Sequence, residues 1–462
     1  MNDAPRPIRW KCGLSNTIYD VLKKRPRWVP TDGDDWDFFW VTREWMTNSF
    51  MKHKFHDKQL VCHFRNDYEL TRKDFMIKNI KKMRRLMEKD NPAEAAKYNF
   101  VPTSYVLPQD YHLFVEEFRQ HDAETLWIMK PVAGAQGKGI FLFRKLKDIT
   151  EWKKRDATST VSDVSSYVVQ SYIDNPYLIG GKKFDIRIYV LVTSFRPMRM
   201  WLHREGFARF SHSRYSLDSF EDAFVHLTNV AVAKTAPDYD PERGLKWSMW
   251  RLKRFLIARH GSEVVAKMFE QLAWVLISSL RCVQQQIVQD PHCFELYGYD
   301  VLLDANLKPW LLEVNASPSL TASSQEDYEL KSRMLNHMLD VLDLEGRRTG
   351  SEKQVGGFDL LVNNSEPVLT VPSGDVKRDS AFFPTLLNIR LGQHKDPVEA
   401  IRNQHPTVIV TERDGRRECG TFTIPVDSVL LKGFTSLSQP FHETLDRERS
   451  PIVFRVVLRR VL

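Results

Sequence analysis

The pattern of hydrophobic and polar positions is clearest between residues 293 and 320. Residues 294–303 and 310–314 form two apolar segments, and the polar residues 304–306 separate them. Apolar segments of this length on either side of a turn containing Asp and Asn are typical of two paired strands. Pro309 fits the entry of the second strand better than its middle. The pattern therefore predicts a β-hairpin.

Three oxygen-bearing side chains interrupt this apolar hairpin. Glu313 and Asn315 are two positions apart, so both point to the same face of an extended strand. The short connection sets Asp300 opposite Glu313, where cross-strand neighbours lie about 5 Å apart. Carboxylate and amide oxygens suit a hard divalent cation such as Mg²⁺. The alternative is a solvated hairpin whose charged residues face outward, as acidic residues usually do.

A glycine-rich loop between two apolar segments is the second informative stretch. Residues 126–130 and 140–143 flank a loop that contains Gly134, Gly137 and Gly139. The loop lacks the spacing of a Walker motif or a dinucleotide-binding motif. A glycine-rich hairpin can still cover phosphates with its backbone N–H groups, and Lys138 would add positive charge. Lys130, at the end of the first segment, either extends to solvent or binds an anion.

Two later strands carry charged residues among apolar ones. In residues 181–193, Phe184 faces one side of the predicted strand, while Asp185 and Arg187 face the other. This Asp and Arg form either a structural ion pair or part of a cleft wall. Arg209 lies in another short apolar segment, and arginine is the usual side chain for gripping a carboxylate or phosphate.

Helical spacing of apolar residues predicts five helices. One follows a capping-box sequence at residues 71–74, and the others span residues 109–121, 245–260, 262 to about 289, and a segment opening at residue 324. The first helix carries basic residues around an apolar stripe. These residues form either an ordinary solvated face or a docking surface for an acidic polymer.

Length, composition and charge restrict the class of protein. A chain of 462 residues exceeds the usual size of one core, so two or three domains are expected. The net charge of +8 favours an acidic partner, although no recognised nucleic-acid-binding motif is present. The five cysteines are scattered, which predicts free thiols and argues against a zinc site. The lack of a signal-peptide pattern and of an apolar run of about 20 residues predicts a soluble intracellular protein without a membrane span.

Four motifs in order carry a resemblance to a known family. They are KPVAGAQGKGIFLF (130–143), KKFDIRIYVLV (182–192), HLTNVAVAK (226–234) and YGYDVLLDANLKPWLLEVNASPSL (297–320). With them, the chain from about residue 10 to residue 361 resembles the polyglutamylase branch of the tubulin tyrosine ligase-like family. The resemblance implies an α/β (α+β) ATP-grasp ligase fold. We expect an N-terminal domain (1–105), a central domain (106–190), a C-terminal domain (191–345), a linker (346–380) and a small β-rich module of unassigned role (381–462).

The resemblance also implies a reaction and its partners. ATP, with Mg²⁺, would phosphorylate a glutamate γ-carboxylate on an acidic tubulin C-terminal tail, and the amine of free L-glutamate would attack the acyl phosphate to form an isopeptide bond. The expected location is the cytoskeleton, in a cilium or flagellum. The need for accessory subunits stays open. The rival functions are a tubulin glycine ligase and a non-catalytic microtubule-binding scaffold.

Individual roles follow from the positions that match the family motifs. Contacts with ATP are expected from Lys130, Gln136, Gly137, Gln170, Ser171, Tyr172, Ile173, Lys183, Phe184, Asp185, Thr228 and Asn229. Lys130, Arg187 and Arg209 are the expected catalytic residues, and Gln136, Arg209 and Lys246 are expected to bind substrate. The expected magnesium ligands are Asp300, Glu313 and Asn315. Many family polyglutamylases have Tyr-Ser where this chain has Val230 and Ala231, so a hydroxyl contact with glutamate is lost there.

Overall fold

Helices and strands are mixed along the part of the chain that the computed structural model describes. This part comprises residues 6–122, 124–132, 137–149, 166–218, 220–240, 245–316, 318–369 and 387–393, with the backbone of three short strands beyond residue 407. The chain separates into two units, Met1–Gly392 and Gln393–Leu462. The mixed helix-and-sheet class predicted from the sequence is confirmed.

A parallel four-stranded sheet opens the first unit. Its strands are β1 (Ile8–Cys12), β2 (Trp28–Pro30), β3 (Phe38–Trp40) and β4 (Leu60–Val61), in the spatial order β2-β1-β3-β4. The helices of this region are α1 (Thr17–Lys24), α2 (Arg43–Asn48), α3 (Tyr68–Thr71), α4 (Lys73–Asp90) and α5 (Pro92–Ala96). Tryptophan and phenylalanine side chains fill the core between these elements.

Helix α4 departs from its predicted start. The capping box at residues 71–74 is wrong, because Arg72 precedes the helix and provides no side-chain cap. The Thr71 hydroxyl instead donates to the carbonyl of Asp67 within α3. The apolar stripe on α4 is confirmed, since Met76 and Ile80 are buried in the core.

Four antiparallel strands form the second sheet. They are β5 (Ser104–Leu107), β6 (Trp127–Pro131), β7 (Phe141–Phe143) and β8 (Tyr167–Ser171), in the order β5-β8-β6-β7. Helix α6 (Tyr111–Gln120) packs its Phe114 ring edge-on against Trp127 and Phe143. Strands β6 and β7 confirm the two predicted segments that flank the glycine-rich loop.

The largest sheet has nine strands. They are β9 (Leu178–Ile179), β10 (Lys182–Phe195), β11 (Met198–Phe210), β12 (Lys246–Ser248), β13 (Glu295–Leu303), β14 (Pro309–Asn315), β15 (Gln354–Val355), β16 (Phe358–Asn363) and β17 (Glu366–Pro367). The main order is β14-β13-β10-β11-β16-β15, and β9, β12 and β17 pair with β10, β11 and β16. Strands β13 and β14 confirm the predicted hairpin, and Asp300 lies opposite Glu313.

Five further helices accompany this sheet. They are α7 (Ala223–His226), α8 (Val230–Ala233), α9 (Met249–His260), α10 (Ser262–Val283) and α11 (Gln325–Leu342). Helix α9 starts four residues later than predicted because residues 246–248 pair with β11 as a strand. Helix α10 ends before the predicted residue 289, since the Gln289 side chain accepts hydrogen bonds from the backbone N–H groups of Phe195 and Arg196. None of the helices in the described ranges is long and apolar enough to cross a membrane.

A late segment of the first unit, residues 387–392, packs beside α9 and β16. The apolar side chains of Leu387, Ile389 and Leu391 are buried. Lys253 of α9 donates to the carbonyl of Leu391 at 2.6 Å, and the Asn388 amide donates to the carbonyl of Leu360 at 3.0 Å. The expected boundary after residue 190 falls inside β10, and the expected linker 346–380 contributes β15, β16 and β17 to the large sheet.

The second unit contains a small antiparallel sheet. Its strands are β18 (Val408–Thr411), β19 (Glu418–Phe422) and β20 (Arg455–Val456), in the order β19-β18-β20. These strands agree with the β character expected for this part of the chain.

Candidate active site

A cleft separates the second sheet from the large sheet within the first unit. One wall comes from β6 and β8, and the opposite wall comes from β10, β11, β13 and β14. The space between the two walls is roughly 890 Å³, part of it open to solvent. Thirteen of the predicted site residues line it: Lys130, Gly137, Gln170, Ser171, Tyr172, Ile173, Lys183, Asp185, Arg209, Thr228, Asn229, Asp300 and Glu313.

Two buried lysines face this cleft. The ammonium of Lys130 donates to the side-chain oxygen of Gln170 at 2.6 Å, and that of Lys183 donates to the Tyr172 hydroxyl at 2.9 Å. Burial, and then the neighbouring Lys73, lowers the pKa of Lys130 to about 8. Burial, and then Lys130, lowers the pKa of Lys183 to about 7. Clustered buried ammonium groups of this kind gain stability when an anion enters, so the arrangement suits a polyphosphate.

A chain of ion pairs crosses three neighbouring strands beneath the lysines. Arg209 of β11 donates two hydrogen bonds to Asp185 of β10, and its guanidinium also lies 2.9 Å from an oxygen of Asp300 in β13. Arg187 of β10 donates two hydrogen bonds to Asp300. Burial alone would raise the pKa of Asp300, but Arg187 and Arg209 hold it below its ordinary value. The carboxylate of Asp300 is therefore ionised at neutral pH.

The donor set on the β13–β14 hairpin fits a hard divalent cation. Asp300 lies opposite Glu313 on the paired strands, and the Asn315 amide lies 3.3 Å from the Glu313 carboxylate. Two adjacent carboxylates repel each other unless a cation or a proton lies between them. The ammonium of Lys73 is 3.1 Å from Glu313 and supplies one such positive charge. An acidic pair beside an amide, facing the lysine-lined wall, is the chemistry that Mg²⁺ prefers.

One end of the cleft is apolar and aromatic. Ile128 and Ile140 from the second sheet face Leu302 and Leu312 from the large sheet across the opening. Tyr172 closes this end, and its hydroxyl bonds to Nδ1 of His226 at 2.8 Å. A narrow slot with aliphatic walls favours a flat ring, because ring burial replaces water on both faces.

Four of the predicted site residues that the structure describes lie apart from the cleft lining. The ring of Phe184 is in the core, on the opposite face of β10 from Asp185. Arg187 and Asn315 contact residues of the cleft lining. Arg187 donates a hydrogen bond to Asp300, and the Asn315 amide donates one to Glu313. Lys246 pairs with Asp327 at 3.1 Å, one strand beyond Arg209. Gln136 lies outside the described residues.

The sequence reasoning missed several residues of the cleft. Lys73 opens helix α4, where its charge resembled one more solvated lysine, although it is buried beside Glu313. His226 contributes its carbonyl to Lys183 at 3.0 Å. The aliphatic residues of the slot carry no signal in sequence, because apolar strand positions are usually core positions.

Comparisons with known proteins complete the description of the site. The chain matches the profile described as the tubulin-tyrosine ligase family over residues 51–349. It is 64% identical over 389 residues to a Caenorhabditis elegans protein named "Probable tubulin polyglutamylase ttll-9", with 84% of this chain and 92% of that protein covered. It is 49% identical over 426 residues to a Bos taurus "Probable tubulin polyglutamylase TTLL9" (86% and 92% covered). A Tetrahymena thermophila "Probable alpha-tubulin polyglutamylase Ttll1" is 40% identical over 382 residues (77% and 92% covered).

Proposed function

The chain belongs to the tubulin-tyrosine ligase family, and from this membership we infer that it is a tubulin polyglutamylase, an ATP-dependent tubulin–glutamic acid ligase. Relatives that carry this name align with most of the chain and with nearly their own full length. The observation that carries the proposal is the cleft itself, in which the acidic β13–β14 hairpin faces the buried lysines of β6 and β10.

In the proposed reaction, a γ-carboxylate of a tubulin tail accepts the γ-phosphoryl group of ATP and becomes an acyl phosphate, and ADP leaves. The amine of free glutamate then attacks the acyl carbon and loses a proton, and inorganic phosphate leaves as the isopeptide bond forms. A carboxylate needs this activation because its unmodified oxygen is a poor leaving group. In this proposal Lys130 and Lys183, which line the cleft, offset charge on the transferring phosphate.

We propose one orientation for the nucleotide in the cleft. The aliphatic slot near Tyr172 would take the adenine ring, and the two lysines would take the phosphates. Asp300 and Glu313, with Asn315 beside them, would hold magnesium, which neutralises phosphate charge when bound. Arg187 would keep the carboxylate of Asp300 ionised and oriented.

The test of this proposal is incorporation of labelled glutamate into microtubules. Full-length protein, ATP and Mg²⁺ are supplied, with and without a cell extract as a source of accessory subunits. We expect label in intact microtubules and none in microtubules whose C-terminal tails have been removed by protease. Absence of label in every arm would contradict the proposal.

Labelled glycine in a parallel reaction separates the two ligase activities. We expect glutamate to be incorporated in preference to glycine, because Arg209 and Lys246 offer cations that a glycine side chain does not need. A scaffold without catalytic activity would incorporate neither amino acid while still binding microtubules.

A further inference from the structure

A buried carboxylate on helix α11 holds two lysines next to the cleft. Asp327, in the first turn of α11, is 5% exposed. Its Oδ2 atom accepts hydrogen bonds from the ammonium groups of Lys246 and Lys331, both at 3.1 Å, and from the backbone N–H of Ser323 at 2.9 Å. Its other oxygen is buried without a hydrogen-bond partner in the described part of the chain. An unsatisfied buried acceptor costs stability, so this arrangement favours a functional role over a purely structural one.

Lys246 connects this carboxylate to the cleft. Strand β12 places Lys246 directly opposite Arg209 of β11, and Arg209 reaches Asp185 and Asp300. The Lys246 ammonium also lies 4.6 Å from the centre of the Phe207 ring. Burial lowers the pKa of Lys246, Asp327 opposes that shift, and Arg209 and Arg187 add to it. Lys246 and Arg209 therefore form one electropositive patch at the edge of the cleft.

In the described ion pairs around Lys246 and Arg209, cations outnumber carboxylates. Four cations, Arg187, Arg209, Lys246 and Lys331, share three carboxylates, Asp185, Asp300 and Asp327. This group of cations would favour the binding of an amino-acid carboxylate. A lysine side chain without a fixed partner turns to solvent, because its flexible stem loses entropy when it is held in place.

We propose that Asp327 is a positioning residue of the amino-acid subsite, which fixes Lys246 beside Arg209 so that the two cations together bind a carboxylate of the incoming glutamate. This assignment rests on the proposed ligase function. Asp327 does not touch the amino acid, and its effect passes through Lys246. The Ser323 hydroxyl supports the same geometry, since it accepts from Lys246 at 2.8 Å and donates to Asp327 at 3.1 Å.

The test compares Asp327→Asn with a matched change on the same helix. Asp340, near the other end of α11, pairs with Arg25 at 2.9 Å, so Asp340→Asn removes an ion pair of the same type away from Lys246. In full-length protein we expect Asp327→Asn to raise KM for glutamate about 10- to 100-fold. A change of this size is expected because the variant loses one hydrogen bond to a charged group. KM for ATP should stay unchanged, and Asp340→Asn should change neither constant.

A double-variant cycle tests whether Asp327 acts through Lys246. Lys246→Met should raise KM for glutamate by the same factor, and adding Asp327→Asn should have little further effect. If Asp327→Asn folds poorly, Ser323→Ala offers a milder change and should raise KM for glutamate by a smaller factor. Any of three results would overturn the assignment of Asp327. They are an unchanged KM for glutamate, an equal rise in the KM for ATP, and additive effects of the two substitutions in the cycle. A wild-type protein that incorporates no glutamate would instead overturn the proposed function.

Discussion

Strand β13 carries two buried carboxyl groups, Glu295 and Asp300, whose surroundings differ. Glu295 lies in a closed group: one oxygen bonds to Nδ1 of His63 at 2.7 Å, and the other accepts the Phe64 N–H at 3.0 Å. Burial, and then the nearby Asp67, raises the pKa of Glu295 well above its ordinary value. Asp300 is equally buried, yet its pKa is lowered because two arginines face it. Burial raises the pKa of both carboxyl groups, and the two arginines reverse its effect only at Asp300.

The two groups also differ in access. His63, Asp67 and Glu295 have ligand atoms close enough to hold a metal ion, but Glu295 is bonded to His63 and to the Phe64 N–H, and Arg43 pairs with Asp67 at 2.7 Å. Asp300 and Glu313 face the cleft. The comparison predicts that the first group contributes to stability and the second to catalysis.

The largest expected effect comes from Glu313→Gln. Glu313 is partly exposed in the cleft, so the loss of its charge should change the melting temperature little. It should lower the rate of glutamate incorporation by about 100-fold or more, because an expected ligand is lost from the magnesium ion that would neutralise the transferring phosphate. The measurement is kcat with saturating ATP and Mg²⁺.

Glu366→Gln, an exposed change in the same sheet, is the control for Glu313→Gln. It should leave both activity and melting temperature unaltered. Full activity of Glu313→Gln over a range of Mg²⁺ concentrations would show that Glu313 of the β13–β14 hairpin takes no part in catalysis.

Glu295→Gln should show the reverse profile. The amide replaces one acceptor by a donor, which leaves His63 or the Phe64 N–H without its partner. We expect a loss of about 1–3 kcal/mol in the free energy of unfolding. The activity per folded molecule should be retained. Chemical denaturation measures the free energy of unfolding. A large fall in kcat with unchanged stability would contradict the structural role predicted for Glu295.

The smallest expected effect is proton uptake on binding ATP. With pKa values of about 7 for Lys183 and about 8 for Lys130, part of each lysine population is neutral at pH 8 before the nucleotide binds. Phosphates favour the charged forms, so binding at pH 8 should take up about one proton in total. At pH 6 both lysines are already protonated, and uptake should vanish.

Calorimetry in buffers of different ionisation enthalpy measures this uptake. Lys183→Arg should reduce it, since arginine stays protonated throughout this range. An observed enthalpy that is independent of the buffer at pH 8 would mean that ATP does not meet these lysines.

Much of the large sheet and of the cleft could be predicted from the sequence. The Asp300–Glu313 register follows from a short turn between two apolar strands, and the family motifs supplied most of the cleft lining. The start of α4 could not be predicted, because Thr71 bonds within the preceding turn instead of capping the helix. The role of Lys73 depends on Glu313, and the end of α10 depends on hydrogen bonds between Gln289 and the β10–β11 turn. Both partners lie more than 90 residues away in the chain, so no local sequence pattern reveals them.

The packing of residues 387–392 against α9 bears on where this protein can be shortened. The family match ends at residue 349, yet β16 covers the edge of β11, the strand that carries Arg209, and Leu391 supplies the carbonyl that Lys253 binds. A version cut at residue 349 would expose that strand edge to other chains and leave buried leucines without their covering segment. Truncation after residue 392 removes the second unit while every described partner of Lys253 and β11 stays in place.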